Sequence, residues 1–477
     1  MNSRAEGFEK LDGKAPDLMG EIDITVLGYE EAEFLVAGKA NSFKLLSERS
    51  SDGRWDVEPD TSADFRTRIL VRRPADPQHF SGTVVVEWNN VSGGIDASPD
   101  WALLHRHLAS AGHAWVGVSA QKVGIDGGGF VDGIHLKLLA PDRYETLVHP
   151  GDAWSFDIFS QVGELLRNSK GNSPLGGLEP KHLLAAGESQ SAACLVTYIN
   201  AIDPIARVFD GYFVHGRPGM GVTLAGEFMP SSARLREMSE LVQSITDDGE
   251  CIRDDVRVPV LVFQSETDVI LLGGGRADQH DTDAVRVWEL AGAAHADTYI
   301  LNASRYDDGK VGTARLADLL RPTSHLFIGE TATPINAGPQ QHYVGQAALS
   351  HLAQWVTNGT PPPQTLRLER DNEGATFRLD QHGNATGGIR TPWVEVPTAV
   401  LSGLGQTGET FAMLFGRTEP FDEATLSALY PRGKEEYLEK FEASLDASIV
   451  AGFILAEDRS EILELAAGSY PLVAADA

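Results

Sequence analysis

The chain has 477 residues, with 39 Lys and Arg against 68 Asp and Glu and a formal charge of −29. A surface that acidic repels phosphate backbones and anionic lipid headgroups, which excludes nucleic acid and a membrane face as partners. The N-terminal stretch MNSRAEGFEKLDGKAPDLMG lacks an apolar run of signal-peptide length and no later segment is apolar enough to span a bilayer, so the expected compartment is the cytoplasm.

Residues 1–80 read as β-rich N-terminal leading strands of the same domain as the core, with ITVLGY (24–29) and EFLVAG (33–38) as antiparallel strands. Short β-rich runs then recur: FRTRILVRR (65–73), TVVVEW (83–88), HAWVGVSA (113–120), HLLAAG (182–187), FDGYFVHG (209–216), VPVLVFQ (258–264) and AVRVWELAG (284–292). Between them Trp101, Leu104, Leu108 and Ala111 share a helical face, as do Ile158, Val162 and Leu165, and later Val344, Ala348, Leu352 and Trp355. Strands that are apolar throughout and alternate with helices predict an α/β fold, its sheet mainly parallel and covered by helices on both faces. Residues 81–360 form this core, interrupted by a loop-rich insertion at 121–150 and a second at 217–257, which carries a charged helix near SSARLREMSELVQSI and is placed to act as a lid. NGTPPP (358–363) marks a boundary, because consecutive prolines cannot continue a helix. Residues 361–477 are a C-terminal extension, first β-rich and then helical.

The run LLAAGESQSAACLVTYI (183–199) sets a strand hard against a helix, with Ser189 at the turn. A serine on such a turn projects its hydroxyl above the carboxyl edge of a parallel sheet, where open α/β folds bind ligands; crowding there requires small neighbours, here Gly187 and Ser191. Gly117-Val118-Ser119 also follows a strand, but no helix is expected to receive it. A serine hydroxyl needs a histidine and a carboxylate to activate it, in chain order Ser, Asp or Glu, His. VPVLVFQ ends in Ser265-Glu266-Thr267-Asp268 and the next strand ends in Ala293-Ala294-His295, which puts carboxylates and an imidazole at successive strand ends. His295 would shuttle the Ser189 proton while the acid fixes the ring. Asp268 is favoured as that acid, with Glu266 its rival.

With GESQS as the nucleophile turn, VPVLVFQSETD as the acid strand and WELAGAAHAD as the histidine loop, residues 65–360 resemble an α/β-hydrolase, within it a bacterial family described only as an alpha/beta hydrolase domain, in which the C-terminal extension recurs. The resemblance implies that fold and catalytic machinery, and no substrate. Two departures stand out: Ser191 where many members have glycine, and Ser265 where the acid strand usually has glycine.

An oxyanion needs two backbone N–H donors. Gln190 supplies one; the other comes from the loop after TVVVEW, from the N–H of Asn90 or Val91, with an amide side chain of Asn89 or Asn90 as the alternative. Asn89 and Glu188 border the substrate pocket, and Phe130, Leu138, Met220 and Phe228 of the two insertions give it an apolar lining. Cys194 reads as a small buried side chain. His105 and His107 fall on different helix faces and make a poor metal pair. GGG at 127–129 and 273–275 lacks the GK[ST] of a phosphate loop, and no dinucleotide fingerprint follows an early strand, so no cofactor and no metal are implied. The expected function is a serine hydrolase cleaving a small-molecule carboxylic ester of a small or medium organic acid through an acyl-enzyme. A lactonase or acyltransferase would use the same triad, and a non-catalytic binding protein would keep the fold without it.

Overall fold

The β-rich runs assemble into a nine-stranded sheet in a computed structural model that describes residues 7–16, 22–129, 133–168, 173–226, 249–371, 373–408 and 411–473. In chain order the strands are β1 (Gly7–Leu11), β2 (Tyr29–Leu45), β3 (Val57–Pro74), β4 (Thr83–Trp88), β5 (Ala114–Val118), β6 (His182–Glu188), β7 (Gly211–His215), β8 (Val260–Ser265) and β9 (Val285–Leu290). Across the sheet they run β1-β2-β3-β5-β4-β6-β7-β8-β9. The pairs β1–β2, β2–β3 and β3–β5 are antiparallel, whereas β4 lies parallel to β5 and β6, and β6 parallel to β7. Every residue of β4, β5, β7, β8 and β9 is buried, as strands covered on both faces must be.

The helices that carry or flank the residues discussed below are α1 (Pro99–Ser110), α2 (Ser155–Asn168), α3 (Gln190–Thr197), α4 (Glu266–Ile270) and α5 (Gln340–Asn358). Trp101, Leu104 and Leu108 of α1, Ile158 and Val162 of α2, and Val344, Ala348, Leu352 and Trp355 of α5 are buried as their spacing predicts, whereas Leu165 of α2 is half-buried and Ala111 lies half-buried just past the end of α1. Helix α5 ends at Asn358, before the three prolines, as the NGTPPP stretch requires. Among the described residues no helix is long and apolar enough to cross a membrane.

Two expectations are corrected. ITVLGY is not a strand: Ile24–Leu27 is a 3-10 turn, capped by the Asp23 carboxylate on the Thr25 N–H (3.0 Å) and ended by Gly28 at φ 75°. A short helical carboxylate cap outweighs β-branched propensity over four residues. The second concerns Ser119, which a short helix, Lys122–Asp126, does follow. The charged helix expected near 231–245 lies outside the described residues.

The chain divides into two units, one of Met1–Val262, Arg276–Arg286 and Leu352–Thr360, the other of Phe263–Gly275, Val287–His351 and Pro361–Ala477. In the first, a chain of aromatic contacts runs from Trp88 through Phe159 (4.9 Å) and Phe209 (4.9 Å) to Tyr198 and Tyr212. The second has its own core of Val269, Ala291, Leu368, Phe377, Ala385 and Val394. There the residues beyond 360 are built into the unit: Ile389 donates to the Glu289 carbonyl (2.7 Å) and accepts from Ala291 (3.0 Å), continuing hydrogen bonding beside β9.

At the turn between α1 and β5, Gly112 adopts φ 70°, and a Cβ there would lie 1.9 Å from the His79 carbonyl oxygen. Gly112→Ala is therefore expected to lower unfolding stability by about 2 kcal/mol or more in urea titration; an unchanged midpoint would contradict this packing.

Candidate active site

Strand β6 ends at Glu188 and α3 begins at Gln190, so Ser189 alone turns the chain. It does so at φ 60° and ψ −118°, a strained backbone for a residue with a Cβ. Its N–H donates to the His215 carbonyl at the end of β7 (2.9 Å), and its carbonyl accepts from Ala193 in the first turn of α3 (3.1 Å). A Cβ on Gly187 would stand 3.1 Å from the backbone and Cβ of Ser191, so glycine at 187 makes room for serine at the fifth position of the turn. Ser191 is fully buried, and its Oγ has no hydrogen-bond partner among the described residues.

The loop after β4 lies against this turn. The Asn90 amide donates to the Glu188 carbonyl (2.9 Å) and to its carboxylate (3.2 Å), while Asn90 and Ala97 exchange backbone hydrogen bonds (2.8 and 2.9 Å). The Asn90 N–H is thus already used. The N–H of Val91 has no acceptor among the described residues, and that of Gln190, at the first position of α3, has no intrahelical one. Asn89 is buried, its backbone bound to Val118 and its amide to Asp96 (3.1 Å) and Ser98 (3.2 Å). Asp96 also accepts from Arg68 (3.2 Å) and from Ser119, the serine of the decoy turn, whose hydroxyl is thereby used inside the fold. Arg68 in turn binds Glu33 (2.6 Å), so a wholly buried ion pair anchors the loop. Burial opposes both charges, but Arg68, with hydrogen bonds from Tyr144 and Arg143, holds the Glu33 carboxyl below its ordinary value, and Glu33, Tyr144 and Asp96 keep Arg68 protonated.

The insertions border the same loop and helix. A Cβ on Gly133 would stand 2.4 Å from the Gly93 carbonyl, and Thr197 of α3 donates to Val222 (2.6 Å) beyond Met220, which is half-buried. Leu138 is 59% exposed, since its short helix buries Leu136 instead. Phe130 and Phe228 lie outside the described residues. Cys194 is buried in α3, and burial pushes its thiol up.

Sequence reasoning missed a second polar constellation in this unit. Glu87 of β4 accepts from the N–H groups of Asp100 and Trp101 at the start of α1 (2.9 Å each), and Asp100 pairs with His215 (2.8 Å). Burial, and then the Asp100 charge, pushes the Glu87 carboxyl up; burial also pushes Asp100 up, with a smaller push from Glu188, against the pull of His215. Nothing in composition or spacing signals it, because each member looks like an ordinary strand-end or helix-start residue.

In the second unit, Ser265 caps α4 and Asp268 takes the third position of a capping box, accepting the Ser265 N–H (2.6 Å). That box explains the serine in place of glycine. The other Asp268 oxygen lies 2.5 Å from His295 Nδ1. Burial would push the Asp268 carboxyl up, but the charge and hydrogen bond of His295 outweigh it and hold it below its ordinary value. The histidine loop is fixed by Thr267, which accepts the His295 N–H (3.1 Å), by Asn336 and Gln340, which donate to the Gly292 carbonyl (2.9 and 2.7 Å), and by Gln341, which donates to the His295 carbonyl (3.3 Å). Glu266 faces other partners: its oxygens accept from Gly292 (2.7 Å) and from Gly403 (2.8 Å) and Ser402 (3.2 Å) of the C-terminal extension. Burial pushes its carboxyl up to about 7, against those hydrogen bonds. No group of three or more His, Cys, Asp or Glu suited to a metal occurs among the described residues.

A family model described as "Alpha/beta hydrolase domain" matches residues 6–464. No curated protein matches the chain. Among solved structures, it is similar to a putative dienelactone hydrolase from Klebsiella pneumoniae subsp. pneumoniae, at 15% identity over 60% of this chain and 98% of that one with a TM-score of 0.31. It is also similar to a fungal esterase from Rhizomucor miehei (13% identity, 59% and 84% covered, TM-score 0.29) and to an esterase of Pyrococcus furiosus (10%, 58% and 88%, 0.30).

Glu266 provides a test of this electrostatic balance. Its carboxyl titrates higher folded than unfolded, so between pH 4.5 and about 7 the native state holds the extra proton and stability is lost as pH rises. Wild type should lose up to about 3 kcal/mol across that range through this group, and Glu266→Gln should flatten the slope in urea titrations at pH 5 and pH 8; parallel curves for the two proteins would contradict the assignment.

Proposed function

The chain belongs to the alpha/beta hydrolase domain family, and from that premise we propose that it is a serine hydrolase that cleaves a carboxylic ester of a small or medium organic acid. The observation that carries this reading is the strained backbone of Ser189, held by its neighbours at a junction where a relaxed turn would need glycine. The Asp268–His295 hydrogen bond adds the acid–base pair such a nucleophile requires. The family's description names a hydrolase and no substrate, so the ester is this reading's own step.

In this mechanism Asp268 accepts the Nδ1–H of His295, which leaves Nε2 as the base. Ser189 Oγ attacks the ester carbonyl carbon as its proton passes to Nε2, and the carbonyl oxygen becomes an oxyanion received by the N–H groups of Gln190 and Val91. Collapse breaks the bond to the alcohol, which leaves with the proton from His295. Water, deprotonated by the same imidazole, then attacks the acyl-enzyme and releases the acid and Ser189. The positive end of α3 favours the oxyanion, though a helix of this length contributes modestly. Asp96 and Arg68 are positioning residues, because they hold the loop that carries Val91.

Hydrolysis of p-nitrophenyl esters of rising chain length tests this. Ser189→Ala should abolish turnover by about 10⁴-fold or more, and Asp268→Asn should lower kcat by about 10³–10⁴-fold with KM little changed. Ser189→Ala protein that hydrolyses these esters at the wild-type rate would overturn the proposal.

A further inference from the structure

One cavity in the second unit is basic in an otherwise acidic chain. About 340 Å³ in volume, it is lined by Arg305, Arg315 and Arg321, with Asp318 as the one carboxylate lining it among the described residues. It is more open to solvent than enclosed. Arg315, on the helix Thr313–Leu319, donates to Asp318 (2.7 Å), and Arg321 stands 3.8 Å from the other oxygen of the same carboxylate. Arg305 donates to the Leu301 carbonyl (3.0 Å) and lies over the Phe327 ring, 4.5 Å from its centre. Three guanidiniums therefore line the site beside one carboxylate, which Arg315 and Arg321 approach, in a chain whose formal charge is −29.

A guanidinium carries five N–H donors in a planar fork suited to two oxygens of one anion. Among the described residues these three arginines use only a few of theirs. Beside them Phe327 and Tyr306 are 63% and 53% exposed, and Leu301 and Leu319 line the same wall. Aromatic rings exposed beside cations with donors to spare suit a ligand with an anionic head and a flat apolar body, which would cover the rings as it satisfies the charge.

We propose that this cavity binds a small organic oxyanion with an aromatic tail. Its head, a carboxylate or a phosphate ester, is gripped by Arg315 and Arg321, and its tail stacks on Phe327 and Tyr306. The cavity shares no residue with the Ser189 turn and does not depend on the hydrolase reading. If that reading holds, the acid released by ester cleavage has the same head-group chemistry.

Isothermal titration calorimetry on the full chain tests the site, with 3-phenylpropionate and phenyl phosphate as the two anionic probes. Acetate serves as the anion without a tail and 3-phenylpropan-1-ol as the tail without an anion. At least one anionic probe should bind with a Kd below about 1 mM, and acetate and the alcohol at least about tenfold more weakly. The exposed pair Arg315→Gln/Arg321→Gln, with an unchanged Tm, should weaken that binding at least about tenfold, and raising salt should weaken it further. No binding of either anion up to about 10 mM, equal binding of the alcohol, or undiminished binding to the double variant would overturn the proposal. None of these readouts involves ester cleavage, so failure here leaves the assignment of Ser189 untouched, and failure of that assignment leaves this one standing.

Discussion

One residue separates the end of β6 from the start of α3, and that single constraint governs the candidate site. With no spare residue, the reversal falls on Ser189 and forces a positive φ that costs about 1–3 kcal/mol. The surroundings offset the cost through definite contacts. His215 accepts the Ser189 N–H, the α3 turn uses its carbonyl, Gly187 yields space to Ser191, and Asn90 holds the Glu188 carbonyl. The same contacts that stabilise the strained turn also tie the β4 loop, which brings the Val91 N–H, to the residue before the serine.

Buried charge is placed with equal economy. Four buried carboxyls experience opposite environments: Asp268, paired with an imidazole, is held below its ordinary value, while Glu266, Glu87 and Asp100 are pushed above theirs by burial. Divergent titration of neighbouring acids is the physical mark of divided roles. Glu266 and Asp268 differ by two residues, yet one meets backbone N–H groups and the other an imidazole, because the capping box aims Asp268 while Glu266 points to Gly292 and Gly403. The C-terminal extension enters here, in that Ser402 and Gly403 hold Glu266 and Gly403 also accepts from Thr267. Residues far along the chain thus brace the acid–histidine pair.

Much of this is legible in the sequence because it is local. The largely apolar character of TVVVEW, AWVGV and VLVF marks strands covered on both faces, and the abrupt passage from HLLAAGE to QSAACLVT marks the turn at Ser189. ITVLGY misleads, since side-chain and backbone contacts around Asp23 and Gly28 decide its conformation, and propensity does not count them. The Asp100–His215 pair and the Arg68–Asp96 anchor are invisible to any window, because each joins residues that only the strand order brings together. The same reason hides the extension's part: NGTPPP ends a helix, but it does not reveal that Ile389 will hydrogen-bond beside β9.

If Ser189 is the proposed nucleophile, activated by the His295 imidazole, its reactivity depends on that ring. The most direct measurement is the rate at which a fluorophosphonate labels Ser189, followed by mass spectrometry across pH in wild type and in His295→Gln. Rapid labelling of Ser189 that falls away as the imidazole protonates is expected, with labelling slower by about 10³-fold, and no such pH dependence, in the variant. Equal rates in the two proteins would contradict it, as would adduct on another residue.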